Sequence, residues 1–284
     1  MTEEIERTRV LIKGIVQGVG FRPFVYNLAV KSGLKGFVLN SSNGLLIDIE
    51  GIGIKKFINE VVSSPPALAR ISNVEVSDLA PIGYKGFEIK GSIEEEGLTF
   101  VPPDISTCDD CIKDITNGKG RRHRYPFTNC TNCGPRYSIA FDIPYDRKNT
   151  TMSSFLLCPE CEAEYHNPAD RRFHAQPNAC PACGPKLELK VKNEELKVNE
   201  KEDPIKAAIR LLKDGRIVAI KGIGGFHIAC DAENESAVSI LRQRKRKSNK
   251  PFALMTGNVE SIKSFAIVRS EEEKALTARE RPIV

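Results

Sequence analysis

In this 284-residue chain, the spacing of the cysteines is the clearest indication of a chemical site. Eight of its nine cysteines form four Cys-x-x-Cys pairs, and eighteen residues lie between the pairs of each half of the block. The block repeats with a period of fifty residues, and a Gly-Pro dipeptide ends each repeat, at 134–135 and at 184–185. The pairs are Cys108/Cys111, Cys130/Cys133, Cys158/Cys161 and Cys180/Cys183.

This spacing predicts two structural zinc sites. Two residues between cysteines allow one tight turn to direct both sulfurs at one metal, and zinc takes four thiolates in a tetrahedron. Disulfides in a secreted protein are disfavoured because no apolar signal peptide follows Met1. A redox role fits four tandem pairs poorly. Spacing leaves open whether consecutive or interleaved pairs share a metal, although the repeat favours consecutive pairs.

A second candidate site lies near the amino terminus, where a glycine-containing loop precedes a helix. Residues 8–15 alternate as in a strand, Gly18 and Gly20 follow, and apolar periodicity then continues to Val30 with Pro23 in the first helical turn. Backbone amides at a helix start, joined by the guanidinium of Arg22, can bind phosphate or carboxylate. A tight strand-to-helix turn without a ligand would show the same glycines.

The elements that must position this loop follow a recognisable order. Strands are predicted at 36–40 and 45–50, with an Asn-Gly turn between them, then a helix at 54–62 and strands near 71–76 and 87–90. The β-α-β-β-α-β order predicts a ferredoxin-like α+β sandwich.

Residues 14–22, 36–40 and 43–44 closely resemble the acylphosphatase family. The resemblance implies that Arg22 holds an acyl phosphate and that Asn40 orients the attacking water. It also implies a phosphate-binding loop made of Gln17, Gly18, Val19, Gly20 and Phe21.

The last part of the chain carries a second glycine loop and a basic run. A helix is predicted at 204–213 and a strand at 216–221, followed by the loop 222–225, a short helix at 237–241, the basic residues 242–250 and an apolar strand at 252–255. This order is similar to the YrdC-type nucleotide-binding fold, whose members make acyl adenylates from ATP. The resemblance implies that nucleotide or carbamoyl groups contact Lys221, His227, Arg244, Arg246 and Lys250.

The predicted architecture is therefore α+β and multidomain. It comprises an acylphosphatase-like domain at 1–91, a cysteine-rich double zinc-knuckle module at 92–190 and a partial YrdC-like α/β domain at 200–284. Apolar residues at 40% support folded cores, no apolar run is long enough to span a membrane, and a net charge of +5 hints at phosphate-bearing ligands. Free thiols that bind zinc indicate a reducing cytoplasm.

The order of the three modules resembles the HypF family of hydrogenase-maturation carbamoyltransferases. The resemblance implies that carbamoyl phosphate is cleaved at the first site and that carbamate is joined to AMP from ATP, with Mg²⁺ expected beside the nucleotide. A transferase module then passes the carbamoyl group to the C-terminal cysteine of a HypE-type acceptor protein. Because the sequence stops at Val284, inside the YrdC-like part, we expect it to be an N-terminal portion that lacks the transferase module.

Two other functions compete with this interpretation. One is a free-standing acylphosphatase that carries zinc modules and turns over acyl phosphates without ATP. The other is a zinc-dependent module that binds nucleic acid or protein through the basic runs 121–124 and 171–172. We favour instead the pairing of these arginines with carboxylates or the docking of the zinc module on its neighbours, and nucleic acid is not an expected partner.

Overall fold

A computed structural model describes residues 4–93, 100–191, 202–246 and 250–284. The chain forms two compact units, Met1–Pro185 and Lys186–Val284. The stretches 94–99 and 192–201, the second of which contains the predicted start of the last module at residue 200, lie outside the described residues. The domain limits 1–91, 92–190 and 200–284 therefore remain predictions.

The first half of unit 1 is a five-stranded sheet covered by two helices. Its elements are β1 (Glu6–Ile15), α1 (Phe21–Lys31), β2 (Lys35–Ser41), β3 (Gly44–Gly51), α2 (Ile54–Ser63), β4 (Arg70–Leu79) and β5 (Phe87–Ile89). The strand order is β4-β1-β3-β2-β5, and neighbours from β4 to β2 run antiparallel. Each helix thus joins two strands that have a third strand between them, which confirms the ferredoxin-like sandwich.

The core of this half follows directly from residue periodicity. The buried apolar residues of the central strands β1 and β3 stand at alternate positions, among them Ile12 and Ile47, and α1 buries Phe21, Val25 and Leu28 along one side. Each such side chain contributes about 1.5–3 kcal/mol when it leaves water. Phe21 and Val25 therefore fix the start of α1 on the sheet, and with it the loop that precedes the helix.

The second half of unit 1, which we call the cysteine segment (residues 100–185), has little regular structure. It contains α3 (Asp109–Thr116), α4 (Pro159–His166) and three short 3₁₀ turns. Its apolar core is small and includes Tyr125, Ile139 and Met152. Its fold therefore depends on polar contacts and on the cysteine clusters described below.

Unit 2 contains a hairpin and four helices within the described residues. These elements are α5 (Pro204–Lys213), β6 (Val218–Lys221), β7 (Phe226–Ala229), α6 (Glu235–Arg244), α7 (Val259–Lys263) and α8 (Ser270–Thr277). The helix at 204–213 is confirmed, and the helix predicted at 237–241 is longer at both ends. The strand predicted at 252–255 is wrong, because no described strand pairs with these residues and they form no regular element.

No helix in the described ranges is both long and apolar enough to cross a membrane.

Candidate functional site

The eight paired cysteines form two clusters, each built from consecutive pairs. Cys108, Cys111, Cys130 and Cys133 make one cluster, and within each cluster all four sulfurs lie within 4.8 Å of one another. Neighbouring sulfurs are 3.5–3.8 Å apart in the first cluster. A tetrahedron with zinc–sulfur bonds of about 2.3 Å has edges of about 3.8 Å, whereas a disulfide needs about 2.05 Å. The sulfurs therefore fit structural zinc sites and not disulfides. The second cluster consists of Cys158, Cys161, Cys180 and Cys183.

Two short helices place half of these sulfurs. Cys108 and Cys158 each stand at the N-cap of a helix, α3 or α4, and the second cysteine of the pair lies in its first turn. The positive end of the helix favours thiolate at these positions. Burial raises the pKa of the Cys161 thiol, and a hydrogen bond from Arg121 opposes that effect. A bound metal would select the thiolate outright.

Each repeat also supplies arginines to the cysteine cluster of the other repeat. Arg121 donates to the Cys161 sulfur at 3.3 Å, and Arg171 donates to the Cys111 sulfur at 2.9 Å. Arg122 binds Glu164 at 2.6 Å, and Arg172 binds Asp114 in the equivalent arrangement. The arginines thus pair with carboxylates inside the cysteine segment, as favoured from the sequence, and the guanidinium groups of Arg122 and Arg172 are buried.

The glycine loop before α1 offers unused donors beside Arg22. Gly18 and Gly20 have φ of 67° and 78°, a left-handed conformation that glycine adopts without strain. In the described part of the chain, the backbone N–H groups of residues 18–20 form no hydrogen bond. With its Oδ1 turned toward Arg22, the Asn40 amide accepts from Nη2 at 3.2 Å and from Nε at 3.3 Å. The structure thus brings the loop, Arg22 and Asn40 together.

The other predicted loop residues have structural side chains. Gln17 donates to the carbonyls of Ser41 and Gly44, at 2.7 Å and 3.1 Å, and so ties the loop to the β2–β3 hairpin. Val19 and Phe21 are buried in the apolar core. These three residues can therefore serve a ligand through their backbone and not through their side chains.

The cysteine segment covers this loop from the other side. Arg136, which is 2% exposed, donates from Nε to the Gly18 carbonyl, and Tyr145 donates its backbone N–H to the Gln17 Oε1 at 2.8 Å. The Asp146 carboxylate accepts from Arg22 at 2.7 Å. The result is a small cavity between the two halves of unit 1. The cysteine segment lines it with Thr131, Arg136, Tyr145, His174, Ala175 and Gln176, opposite Arg22 and Asn40.

His174 adds a neutral imidazole to this cavity. Burial, together with the nearby positive charge of Arg22, lowers the pKa of His174 to about 3 from an ordinary value of 6.5. The backbone of His174 has a φ of 52°, an uncommon conformation for a residue with a side chain.

Sequence reasoning missed Arg136, Tyr145, Asp146 and His174. One signal was available for the first of them: Arg136 follows Gly-Pro in the first repeat where lysine stands in the second, at Lys186. The other three carry no local pattern, since they reach the loop through contacts far apart in sequence.

The five residues assigned to nucleotide or carbamoyl binding lie in unit 2 and are exposed. Lys221 ends β6 opposite Phe226, and His227 pairs with Ile220, so the two side chains leave opposite faces of the hairpin. Arg244 ends α6, and Arg246 and Lys250 follow the helix. The Lys221 Nζ lies 4.7 Å from the centre of the Phe226 ring.

Family models match three parts of the chain. Residues 8–89 match the model described as acylphosphatase. Residues 107–140 and 157–190 match the model described as HypF finger. Residues 210–284 match a model described as telomere recombination, which covers Sua5, YciO and YrdC.

Several known proteins are similar to the chain. Carbamoyltransferase HypF of Rhodobacter capsulatus is 49% identical over 91% of the chain and 34% of that relative. A crystal structure of full-length HypF in a phosphate- and nucleotide-bound form superposes with a TM-score of 0.89 at 48% identity, over 97% of the chain and 36% of that protein. The chain thus spans about a third of these relatives' length. An acylphosphatase of Thermotoga maritima is 44% identical over 29% of the chain and 93% of the relative.

Proposed function

Because this chain belongs to the acylphosphatase family through residues 8–89, we propose that its glycine loop, Arg22 and Asn40 cleave an acyl phosphate. One observation carries the proposal: three backbone N–H donors at residues 18–20 form no hydrogen bond with any described residue, and they lie beside a buried arginine. Such a cradle at a helix start suits a phosphoryl group.

The chemistry of the site follows from what each group can donate. Arg22 and the loop amides stabilise the negative charge on the phosphoryl oxygens while the acyl oxygen departs. The Oδ1 of Asn40 is held by Arg22, so the Nδ2 donor of the same planar amide faces away from the guanidinium and can hold a water for attack. The cysteine segment lines the other side of the cavity, so less solvent surrounds these groups and their interactions are stronger.

We further propose that the acyl phosphate is carbamoyl phosphate and that the chain acts in carbamoyl transfer, as the HypF relatives' names indicate. Unit 2 would bind ATP with Mg²⁺ through Lys221, His227, Arg244, Arg246 and Lys250 and form carbamoyl adenylate. A HypE-type protein would accept the carbamoyl group, in the cytoplasm. The exposed basic side chains of unit 2 support nucleotide binding, because polyphosphates are held by such groups.

Zinc is the metal that we propose for the two cysteine clusters. Their sulfur spacing supports it, and zinc bound there would supply folding energy to a segment with a small apolar core. Neither cluster is part of the proposed reaction.

The decisive experiment measures phosphate release from carbamoyl phosphate by the zinc-loaded chain and by Arg22→Ala and Asn40→Ala. Loss of a preorganised donor to developing charge costs about 10²–10³ in rate, and we expect at least that loss for Arg22→Ala. Matched controls of the same residue types are Arg9→Ala and Asn73→Ala, which change exposed side chains on β1 and β4 that do not line the cavities beside the loop.

The same assay separates the competing functions. Wild-type rates retained by Arg22→Ala would overturn the proposed site. Equal turnover of acetyl phosphate would favour the free-standing acylphosphatase. Absence of turnover, together with RNA or DNA binding that is lost when Arg121, Arg122 and Arg124 are neutralised, would favour the nucleic-acid module.

A further inference from the structure

The two cysteine clusters are joined by arginines that cross from one repeat to the other. In the first repeat, the turn after α3 carries Arg121, whose guanidinium donates to the Cys161 sulfur of the second cluster at 3.3 Å and 3.4 Å. In the second repeat, the turn after α4 carries Arg171, which donates to the Cys111 sulfur of the first cluster at 2.9 Å. The contact between repeats is therefore made twice, once in each direction.

The next arginine along the chain holds the two halves of the second cluster together. Arg122 donates to the Glu164 carboxylate on α4 at 2.6 Å and to the Ala179 carbonyl at 2.9 Å. Glu164 lies about one helical turn after Cys161, and Ala179 directly precedes Cys180. Arg122 thus bridges the helix that carries one Cys-x-x-Cys pair and the turn that carries the other pair.

Arg172 makes the same bridge at the first cluster. It binds Asp114 on α3 and donates to the Asn129 carbonyl, next to Cys130, at 3.2 Å. The side chains of Arg122 and Arg172 are 4% and 6% exposed, so each buried cation depends on its partners in the other repeat. We call these four residues the crossed arginines: Arg121, Arg122, Arg171 and Arg172.

Each pair of crossed arginines is positioned by the cluster of its own repeat. The turn after α3 is tied back to that helix by the Arg124 N–H, which donates to the Ile115 carbonyl at 2.8 Å. The equivalent bond after α4 joins the His174 N–H to the Tyr165 carbonyl at 3.0 Å. Because each helix carries two sulfurs of its cluster, a metal that fixes the helix also fixes the turn and its arginines.

We propose that the two clusters bind zinc cooperatively and that the crossed arginines transmit this coupling. The inference rests on the proposal that the clusters hold zinc. Zinc with four thiolates carries a double negative charge, which the arginine of the other repeat offsets through charge-assisted hydrogen bonds. An ion in one cluster orders the turn that places this arginine, so the second ion binds to a site that is already partly assembled. By linkage, each ion raises the zinc affinity of the other cluster by the same factor.

The first test uses the wild-type chain and needs no folded variant. The chain is stripped of metal under reducing conditions and titrated with zinc, while native mass spectrometry counts the chains that hold no ion, one ion or two ions. Independent sites, whether or not their affinities are equal, leave at least about half of the chains with one ion when half of all sites are filled. Coupling of about tenfold between sites of equal affinity lowers this fraction to about a quarter, and we expect at least that coupling.

Two outcomes of the titration would overturn the proposal. A single-ion fraction of about half or more at half-filling would show that the clusters fill independently, although zinc binds. A chain that binds no zinc would overturn the zinc assignment and the coupling together. Neither readout involves phosphate release, so the result is separate from that of the proposed acyl-phosphate site.

The second test asks whether the crossed arginines carry the coupling. Cys133→Ser removes a ligand of the first cluster, and the zinc Kd of the second cluster, measured by competition with a chelator, should rise at least about tenfold. When Arg121 and Arg122 are both replaced by methionine, adding Cys133→Ser should raise that Kd much less, because the contacts that transmit the effect are already absent.

Arg9→Met is the matched control for the arginine replacements. Arg9 also pairs with a carboxylate, that of Asp48, but it lies on β1, outside the cysteine segment. The full rise in Kd on adding Cys133→Ser should persist in this background. An equal rise in the Arg9→Met chain and in the Arg121→Met, Arg122→Met chain would overturn the role of the crossed arginines.

Discussion

Replacing Arg136 by methionine should disconnect the glycine loop before α1 from the first cysteine cluster. The buried guanidinium donates to five carbonyls, of Gly18 in the loop and of Cys130, Thr131, Cys133 and Pro135 in the knuckle. Arg136 is thus a positioning residue. It links the turn that carries Cys130 and Cys133, two candidate metal ligands, to the loop backbone that would hold the phosphoryl group.

The size of the effect can be worked out from these bonds. A hydrogen bond contributes about 1 kcal/mol net, so five contribute about 5 kcal/mol to the free energy of unfolding. Because the variant no longer buries a positive charge, the expected loss of unfolding free energy is about 3–5 kcal/mol. A displacement of the loop amides by about 1 Å costs about 10²-fold in rate. We therefore expect Arg136→Met to lower both the free energy of unfolding and kcat/KM for carbamoyl phosphate.

The assay pairs urea unfolding with phosphate release, and Arg147→Met provides the control. Arg147 also donates to three carbonyls, of Phe155, Gln176 and Asn178, but to none in the glycine loop. Both variants should lose stability. Only Arg136→Met should also show a large loss of kcat/KM when the protein is folded. Equal kcat/KM for the two variants under conditions where both are folded would refute the positioning role.

Two further predictions concern metal content and pH. Cys133→Ser should reduce bound zinc from two ions to one per chain in a metal analysis, while Cys230→Ser, outside both clusters, should retain two, and identical zinc contents would contradict the assignment. Because the pKa of His174 is lowered to about 3 in the folded chain, the unfolded state alone takes up its proton as the pH falls below 6.5. Between pH 7 and pH 5 the wild type should lose up to about 2 kcal/mol more unfolding free energy than His174→Asn, and parallel pH profiles would be evidence against a buried neutral imidazole.

Local sequence patterns predicted the fold of the first half of unit 1. Alternating and helical periodicities reproduce β1 to α2 within a few residues, because burial of apolar side chains on one sheet face selects both the elements and their order. The same reasoning was wrong at 252–255, where an apolar run suggested a strand that lacks a described partner. A strand is stabilised by the strands that pair with it, and a short apolar run does not reveal whether such strands are present.

The sequence by itself determined the groups that could do chemistry. The cysteine spacing supplied eight thiolates for two four-sulfur sites, and the glycines at 18 and 20, just before a helix, supplied a loop of backbone donors beside Arg22. These features are local, because a turn or a helix start depends on a few adjacent residues. Only the tertiary structure decided that consecutive cysteine pairs share a cluster. It also brought Asp146 and Arg136 to the loop, across 124 and 118 residues. Contacts at that separation depend on how the two halves of unit 1 pack together, which no short-range pattern encodes.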